Sequence, residues 1–375
     1  MTIVADRPPV VDALEVTGGV DPHADCHVAA IIDPLGRHLG HRSFPATPAG
    51  YRALAAWMAS HGTVVLVGVE GTGAYGAGLT RALSAVGLAV VEVDRPDRKA
   101  RRDQGKSDPI DAYAAARAAA AGRATGTPKT RTGDVESVRA LRVARGGAMK
   151  GRAVALTQLK ALIVTAPEGL RSQLNGLDGS ALVRTCGRLR SARDAAPVAS
   201  VHAKRAPRPG RLIDPTAATK RALASIAGRI VMLDREIAEL DDDLHGLITP
   251  LAPTLLALRG VGLDVAGQLL ATAGDNPDRL RHEAAFAHLC GSAPIPASSG
   301  KTTRHRLNRG GDRAANAALY RIALCRLRWD PATRLYLERR TKQGRSKAEI
   351  IRCLKRYIVR EVFTAIRADL CPTTP

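Results

Sequence analysis

The sequence predicts an α/β domain followed by a largely helical remainder. Three observations carry this. Short β-rich runs alternate with Ala-rich helical patterns over the first third of the chain. One apolar run, residues 64–69, is continuous, as in a strand buried on both faces. Apolar residues then recur every three or four positions along residues 217–248. At 375 residues the chain has the length of two or three domains rather than one core.

Residues 16–20, 27–33 and 37–44 read as three extended runs separated by turn residues such as Asp33-Pro34-Leu35-Gly36, a meander. Pro48 opens a helix to about His61, with Tyr51, Leu54, Ala55 and Met58 at helical spacing, and the continuous run that follows ends at Glu70. A helix over about 75–86, a strand over 88–93 and a helix over about 108–121 complete the order β-β-β-α-β-α-β-α, which is the ribonuclease-H order.

From Asp134 to about Ile163 the pattern is helical and rich in Arg and Lys, whereas residues 168–211 give no clear pattern. Along 217–248, Leu223, Ile226, Ile230, Leu233, Ile237, Leu240, Leu244 and Leu247 form a heptad-like seam. Such a seam suits a helix packed on its own domain and a dimerising coiled coil equally. Further on, Gly260-Val261-Gly262 introduces a helix that ends at Gly274-Asp275, and a second helix is expected over about 277–289. A loop over 292–311, a helix over about 312–327 and a last helix over about 347–368 follow, the last announced by the capping-box pattern Ser346-x-x-Glu349. The expected organisation is a tail at 1–14, an α/β domain at 15–125, a basic helical and coiled-coil region at 126–250, a mostly helical domain at 251–345, and a C-terminal helix and tail at 346–375.

Lys and Arg number 56 against 35 Asp and Glu, a formal net charge of +21 spread along the chain, which suits a polyanionic partner such as nucleic acid. Aromatic residues are only 3% of the total, which argues against a protein that binds single strands by stacking bases on rings. The six cysteines form no C-x-x-C pair, so neither a zinc site of ordinary spacing nor a disulfide framework is expected. With no leader-like start and no run long enough to cross a bilayer, the expectation is a soluble cytoplasmic protein with no membrane partner.

Two constellations carry chemistry. Asp21 follows the first β-run, Glu70 closes the buried one, and Asp108 and Asp111 form D-x-x-D, one turn apart at a helix start. In the ribonuclease-H order the first and fourth strands are neighbours with the last helix beside them, so the four carboxylates converge. Their mutual repulsion calls for hard divalent cations, and two Mg²⁺ ions held in this way suit phosphodiester chemistry. Each acid also has a plainer reading: Asp108-Pro109 fits a helix cap, Asp21-Pro22 fits a turn, and Asp25 or Asp33 could stand in for Asp21. The second constellation is Ser298-Ser299-Gly300-Lys301 followed by Arg304, Arg306 and Arg309, a basic loop that could orient a serine hydroxyl at phosphorus. Gly260 and Gly262 flank a turn like that of a helix-hairpin-helix, whose amides meet a DNA phosphate.

Gly19-Val20-Asp21-Pro22-His23-Ala24-Asp25, Val69-Glu70-Gly71-Thr72-Gly73-Ala74-Tyr75 and Gly105-Lys106-Ser107-Asp108-Pro109-Ile110-Asp111-Ala112 resemble the acid motifs of the DEDD transposases of bacterial insertion sequences, the "IS one-ten" group. Residues 258–275 and 294–313 resemble that family's second domain. The resemblance implies a RuvC-type ribonuclease-H domain and selects Ser299, which precedes the glycine, as nucleophile. It also implies a recombinase that joins double-stranded DNA under the guidance of a structured noncoding RNA, as a dimer or tetramer. Position 24 is Ala where relatives often carry Lys, and Ala314-Ala315-Asn316 stands where a more basic, leucine-containing run is expected; neither change touches the acids. A RuvC-like resolvase or nuclease that hydrolyses DNA with the acids alone is the alternative.

Overall fold

The structure is a computed structural model that describes residues 14–93, 107–190, 214–301 and 305–371. It divides into two compact units, Met1–Thr132 with Gly274–Arg281, and Gly133–Ala273 with His282–Pro375.

The first unit contains β1 (Glu15–Pro22), β2 (Cys26–Ile32), β3 (His38–Pro45), α1 (Pro48–Ala59), β4 (Thr63–Glu70), α2 (Gly76–Ala85), β5 (Val90–Val93) and α3 (Asp108–Ala120). Short turns join β1, β2 and β3 as antiparallel neighbours, and the α1 crossover brings β4 back parallel to β1, giving the order β3-β2-β1-β4-β5. Thr47 caps α1 by accepting from the Gly50 amide, with Pro48 in the first turn. One sheet face buries Val20, Ala29, Ile31, Val67 and Val69 with Leu54, Met58, Leu79 and Leu83, and the other buries Val28, Ala30 and Ile32 under Ala112, Tyr113 and Ala116 of α3.

Alanines and glycines let α3 press onto the strands. A Cβ on Gly19 would lie 2.1 Å from the Ala112 carbonyl oxygen and 2.3 Å from the Ala116 nitrogen, and one on Gly68 would lie 2.6 Å from the Ala115 carbonyl oxygen. The helix backbone therefore rests directly on β1 and β4. Residues 274–281 belong to the same unit: Asn276 accepts from the Thr130 amide at 3.2 Å and donates to the Pro128 carbonyl at 3.0 Å, and Arg279 donates to the Thr127 carbonyl at 3.1 Å.

The second unit contains α4 (Asp134–Val164), α5 (Glu168–Leu174), α6 (Gly179–Gly187), α7 (Pro215–Leu251), α8 (Pro253–Ala257), α9 (Leu263–Ala273), α10 (Glu283–Leu289), β6 (Ile295–Pro296), β7 (His305–Arg306), α11 (Arg313–Trp329), α12 (Pro331–Lys342) and α13 (Lys347–Leu370). Helices α4 and α7 pair antiparallel, as the crossing ion pairs Arg145–Asp241 and Arg152–Asp234 require. Leu223 and Ile230 of the predicted seam are buried in a core shared with Leu159 of α4 and with α5 and α6, so this part of the seam packs on its own unit. Asp264 of α9 binds Arg142 of α4 at 2.8 Å and Arg321 of α11 at 2.5 Å, tying three helices together.

The sequence expectations differ from this in four places. The loop expected over 292–311 carries the short antiparallel pairing of β6 with β7. Residues 168–190 fold into α5 and α6 before the chain leaves the described residues at 191–213. The helix expected over 277–289 is broken: Pro277–Arg279 is a 3₁₀ turn engaged with residues 127–130, and His282 starts α10 afresh by accepting from the Ala285 amide at 3.1 Å. Helix α12 was not expected, although Asp330-Pro331 has the composition of a helix start and Asp330 caps it through the Thr333 amide and hydroxyl. The capping box at α13 forms as read.

Candidate functional site

The acids gather at the carboxyl ends of β1 and β4. Val20 pairs with Val69, so Asp21 and Glu70 occupy the next step on neighbouring parallel strands. Because α3 lies on Gly19, its first turn arrives at the same edge. Asp108 is its first residue and Asp111, one turn on, is only 4% exposed. Acids in a first helical turn also meet the positive end of the helix dipole, which suits their charge there. Asp33 is not part of this group. It lies beyond Ile32, at the opposite end of the β1–β2 pair, and holds the turn through the Leu35 and Arg37 amides and the Arg37 side chain.

His23 joins the acids, and the sequence reading missed it. Its Nε2 lies 3.2 Å from Asp21 and 3.5 Å from Asp108 and is shut off from solvent. Asp21, His23 and Asp108 bring ligand atoms within 4.8 Å of one another. Asp21 is only 13% exposed. Burial pushes its carboxyl above the usual range, and Asp111 and Asp108 add to the rise while His23 opposes it. Hard oxygen donors gathered beside a shielded imidazole nitrogen have the chemistry of a divalent-cation site.

The serine loop is placed differently. Ser298, Ser299, Gly300 and Lys301 lie exposed between β6 and β7, with Gly300 in the left-handed region at φ +54°. Arg306 and Arg309 follow, also exposed, and Arg304 lies outside the described residues. Gly260 has φ +86° and abuts α11, where a Cβ would come within 3.3 Å of Cys325 and of the Ile322 carbonyl oxygen, while Gly262, just before α9, faces open space. The acids belong to the first unit, and Ser299, Gly260 and Gly262 to the second. Among the described residues no helix is long and apolar enough to cross a membrane.

Comparison with known proteins matches two segments of the chain. A family model of DEDD transposases of the IS110 kind, described as "Transposase", matches residues 18–166 and so contains all four acids. A second, described as "Transposase IS116/IS110/IS902 family", matches residues 252–338 and contains Ser299. The chain is 29% identical over 148 residues to a 43.6 kDa protein of insertion element IS110 from Streptomyces coelicolor, covering 38% of this chain and 36% of that one. It is 26% identical over 204 residues to a 42 kDa protein of insertion element IS900 from Mycobacterium paratuberculosis, covering 54% of this chain and 50% of the other. The matched segments thus span half or less of the length of these relatives.

Proposed function

Since the chain belongs to the IS116/IS110/IS902 transposase family, we propose that it is the DNA recombinase of an insertion sequence, cutting and rejoining strands with an Asp21, Glu70, Asp108 and Asp111 site and the Ser299 hydroxyl. The observation that carries this reading is the convergence of Asp21 and Asp108 on a shielded His23 nitrogen, with Asp111 near enough to Asp21 to raise its carboxyl, at the edge of a mixed five-stranded sheet of the order β3-β2-β1-β4-β5. Mg²⁺, two ions in this reading, would neutralise the carboxylates and polarise a phosphodiester there. The contact of α3 with β1 holds Asp108 and Asp111 beside Asp21, the β1–β4 pairing sets Glu70 at the same edge, and His23 is within reach to hold or pass a proton beside Asp21 and Asp108.

At the second site the Ser299 oxygen attacks phosphorus as its proton leaves, a phosphoserine ester forms, and the departing sugar oxygen takes up a proton. Attack on that ester by another strand's hydroxyl restores the serine and joins the strands. Exposure of Ser299 and the cations of Lys301, Arg304, Arg306 and Arg309 suit such access to a polyanion, with the open backbone at Gly262 as a further phosphate contact. The net charge of +21, with no recognisable base-reading helix among the described residues, supports delegation of sequence choice to a guide RNA carried by the element, and the family resemblance supports action as a homo-oligomer.

The test is cleavage of element-end DNA in Mg²⁺. Asp111→Asn is expected to lower the rate on the order of 10²–10³-fold, the scale of losing one preorganised electrostatic partner, with duplex binding retained. Wild-type protein is expected to carry a DNA adduct at Ser299 by mass spectrometry. Wild-type cleavage by Asp111→Asn would remove the metal reading. Cleavage intact in Ser299→Ala without any adduct would leave a hydrolytic resolvase instead.

A further inference from the structure

A trough of about 1720 Å³ opens beside β7, between α11 and α13 of the second unit. It exceeds the roughly 300–1,000 Å³ of a small-molecule site. Nine cationic side chains line it against one carboxylate, Glu349, which is engaged in the Ser346 cap. Arg306, Arg309 and Arg313 come from β7, the loop after it and the start of α11, and Arg345, Arg352 and Lys355 come from the approach to α13 and its body. Lys355 is fixed in place: its ammonium donates to the Asn316 side-chain oxygen at 2.8 Å, and the Asn316 amide donates to the Cys290 and Gly291 carbonyls at 2.8 and 3.0 Å. Burial, with Arg352 nearby, pushes the Lys355 ammonium below its ordinary range.

Two rings break the chain's general scarcity of aromatics. Tyr320 is 43% and Tyr357 53% exposed, and both line the trough. Tyr357 is steadied by the edge of Tyr336, 6.0 Å away and nearly perpendicular, which leaves much of its ring open. A phenol ring among arginines offers a π face to a base. Bases inside a duplex already have both faces covered by neighbours, so an unpaired strand uses the ring and a duplex does not.

We propose that this trough binds a single-stranded polynucleotide, with phosphates on the arginines and Lys355 and unpaired bases stacked on Tyr320 and Tyr357. The inference rests on the recombinase reading for one point, that the strand held here is the one presented to the β6–β7 hairpin and Ser299. DNA and RNA share this chemistry.

The test is fluorescence anisotropy without divalent metal, so that no strand is cut, using one mixed-sequence oligonucleotide as single-stranded DNA, as single-stranded RNA and as duplex DNA. Tyr357→Ala and Tyr320→Ala are each expected to weaken single-strand binding about tenfold while duplex binding changes less than about twofold. Tyr357→Phe is expected to keep single-strand affinity, and thermal melting checks that each variant folds. The tighter of the DNA and RNA arms names the natural strand. Equal losses for single strand and duplex, or unchanged single-strand binding in the doubly substituted protein, would overturn the proposal. Tyrosine-dependent binding alongside absent metal-dependent cleavage would count against the recombinase reading alone.

Discussion

The acid cluster and the basic trough concentrate opposite charges by opposite means. At the acid end of the sheet, position is set by backbone: α3 rests on Gly19 and Gly68 without a side chain between, and Asp111 follows the helix into a buried spot. In the trough, position is set by long side chains reaching from exposed surfaces, with Lys355 as a fixed exception. Backbone contact cannot yield by a rotamer change, whereas an exposed arginine can be replaced in function by its neighbour. The first site is therefore expected to fail all at once, and the second by degrees.

Gly19→Ala is the strongest attempt to break this contrast. Its methyl would enter the Ala112 and Ala116 backbone and lift α3 from β1, carrying Asp108 and Asp111 away from Asp21. Cleavage is expected to fall about 100-fold, the scale of a misplacement near 1 Å, with a lower Tm. A variant that cuts at the wild-type rate would show that the acids do not depend on that contact.

Next in size is Asp264→Asn, which asks whether the scaffold beneath the trough is as graded as its walls. Burial pushes the Asp264 carboxyl up, but hydrogen bonds and charge from Arg142 and Arg321 outweigh it and hold the group below its ordinary range. A carboxylate lowered in this way contributes stability above its unfolded pKa of about 3.9 and loses it as pH falls through the folded value. Denaturant unfolding at neutral pH is expected to show a loss of about 2 kcal/mol, as for charged hydrogen bonds, and that loss is expected to shrink on acidification below about pH 4. An equal loss at both pH values would mean that the ion network is not its source.

The smallest effect is expected in the walls. Arg352→Gln should lower the slope of log affinity for nucleic acid against log salt by about one, with little change in Tm or cleavage. A collapse of binding from this one substitution would mean that the trough is not graded.

The placing of the acids at one edge of the sheet was largely legible because it follows from strand order and a buried run ending in Glu70. His23 was not, although its signal was present: in an extended chain residues two apart share a face, so Asp21-x-His23 sets the imidazole beside the carboxylate. Helices α5 and α6 were hidden because seven- and nine-residue helices give few repeats, and their Leu170, Leu174, Leu182 and Val183 are buried in a core completed by α4 and by α7, the latter distant in sequence. The break before α10 depends on Asn276 and Arg279 meeting residues 127–130, which no local pattern announces. The trough was masked by averaging: the tyrosines that matter are two among 375 residues, and only the packing of α11 near α13 brings them to one cleft.

Residues 274–281 have a consequence for inheritance. The acid-bearing unit takes this segment from deep within the sequence of the other, so the chain leaves and re-enters it, and no single cut separates the two. An N-terminal cassette ending at Thr132 would leave the Thr130 amide and the Pro128 carbonyl without the Asn276 side chain that meets them. Moving the acid-bearing unit with these contacts intact means carrying residues 274–281 along with the chain up to Thr132.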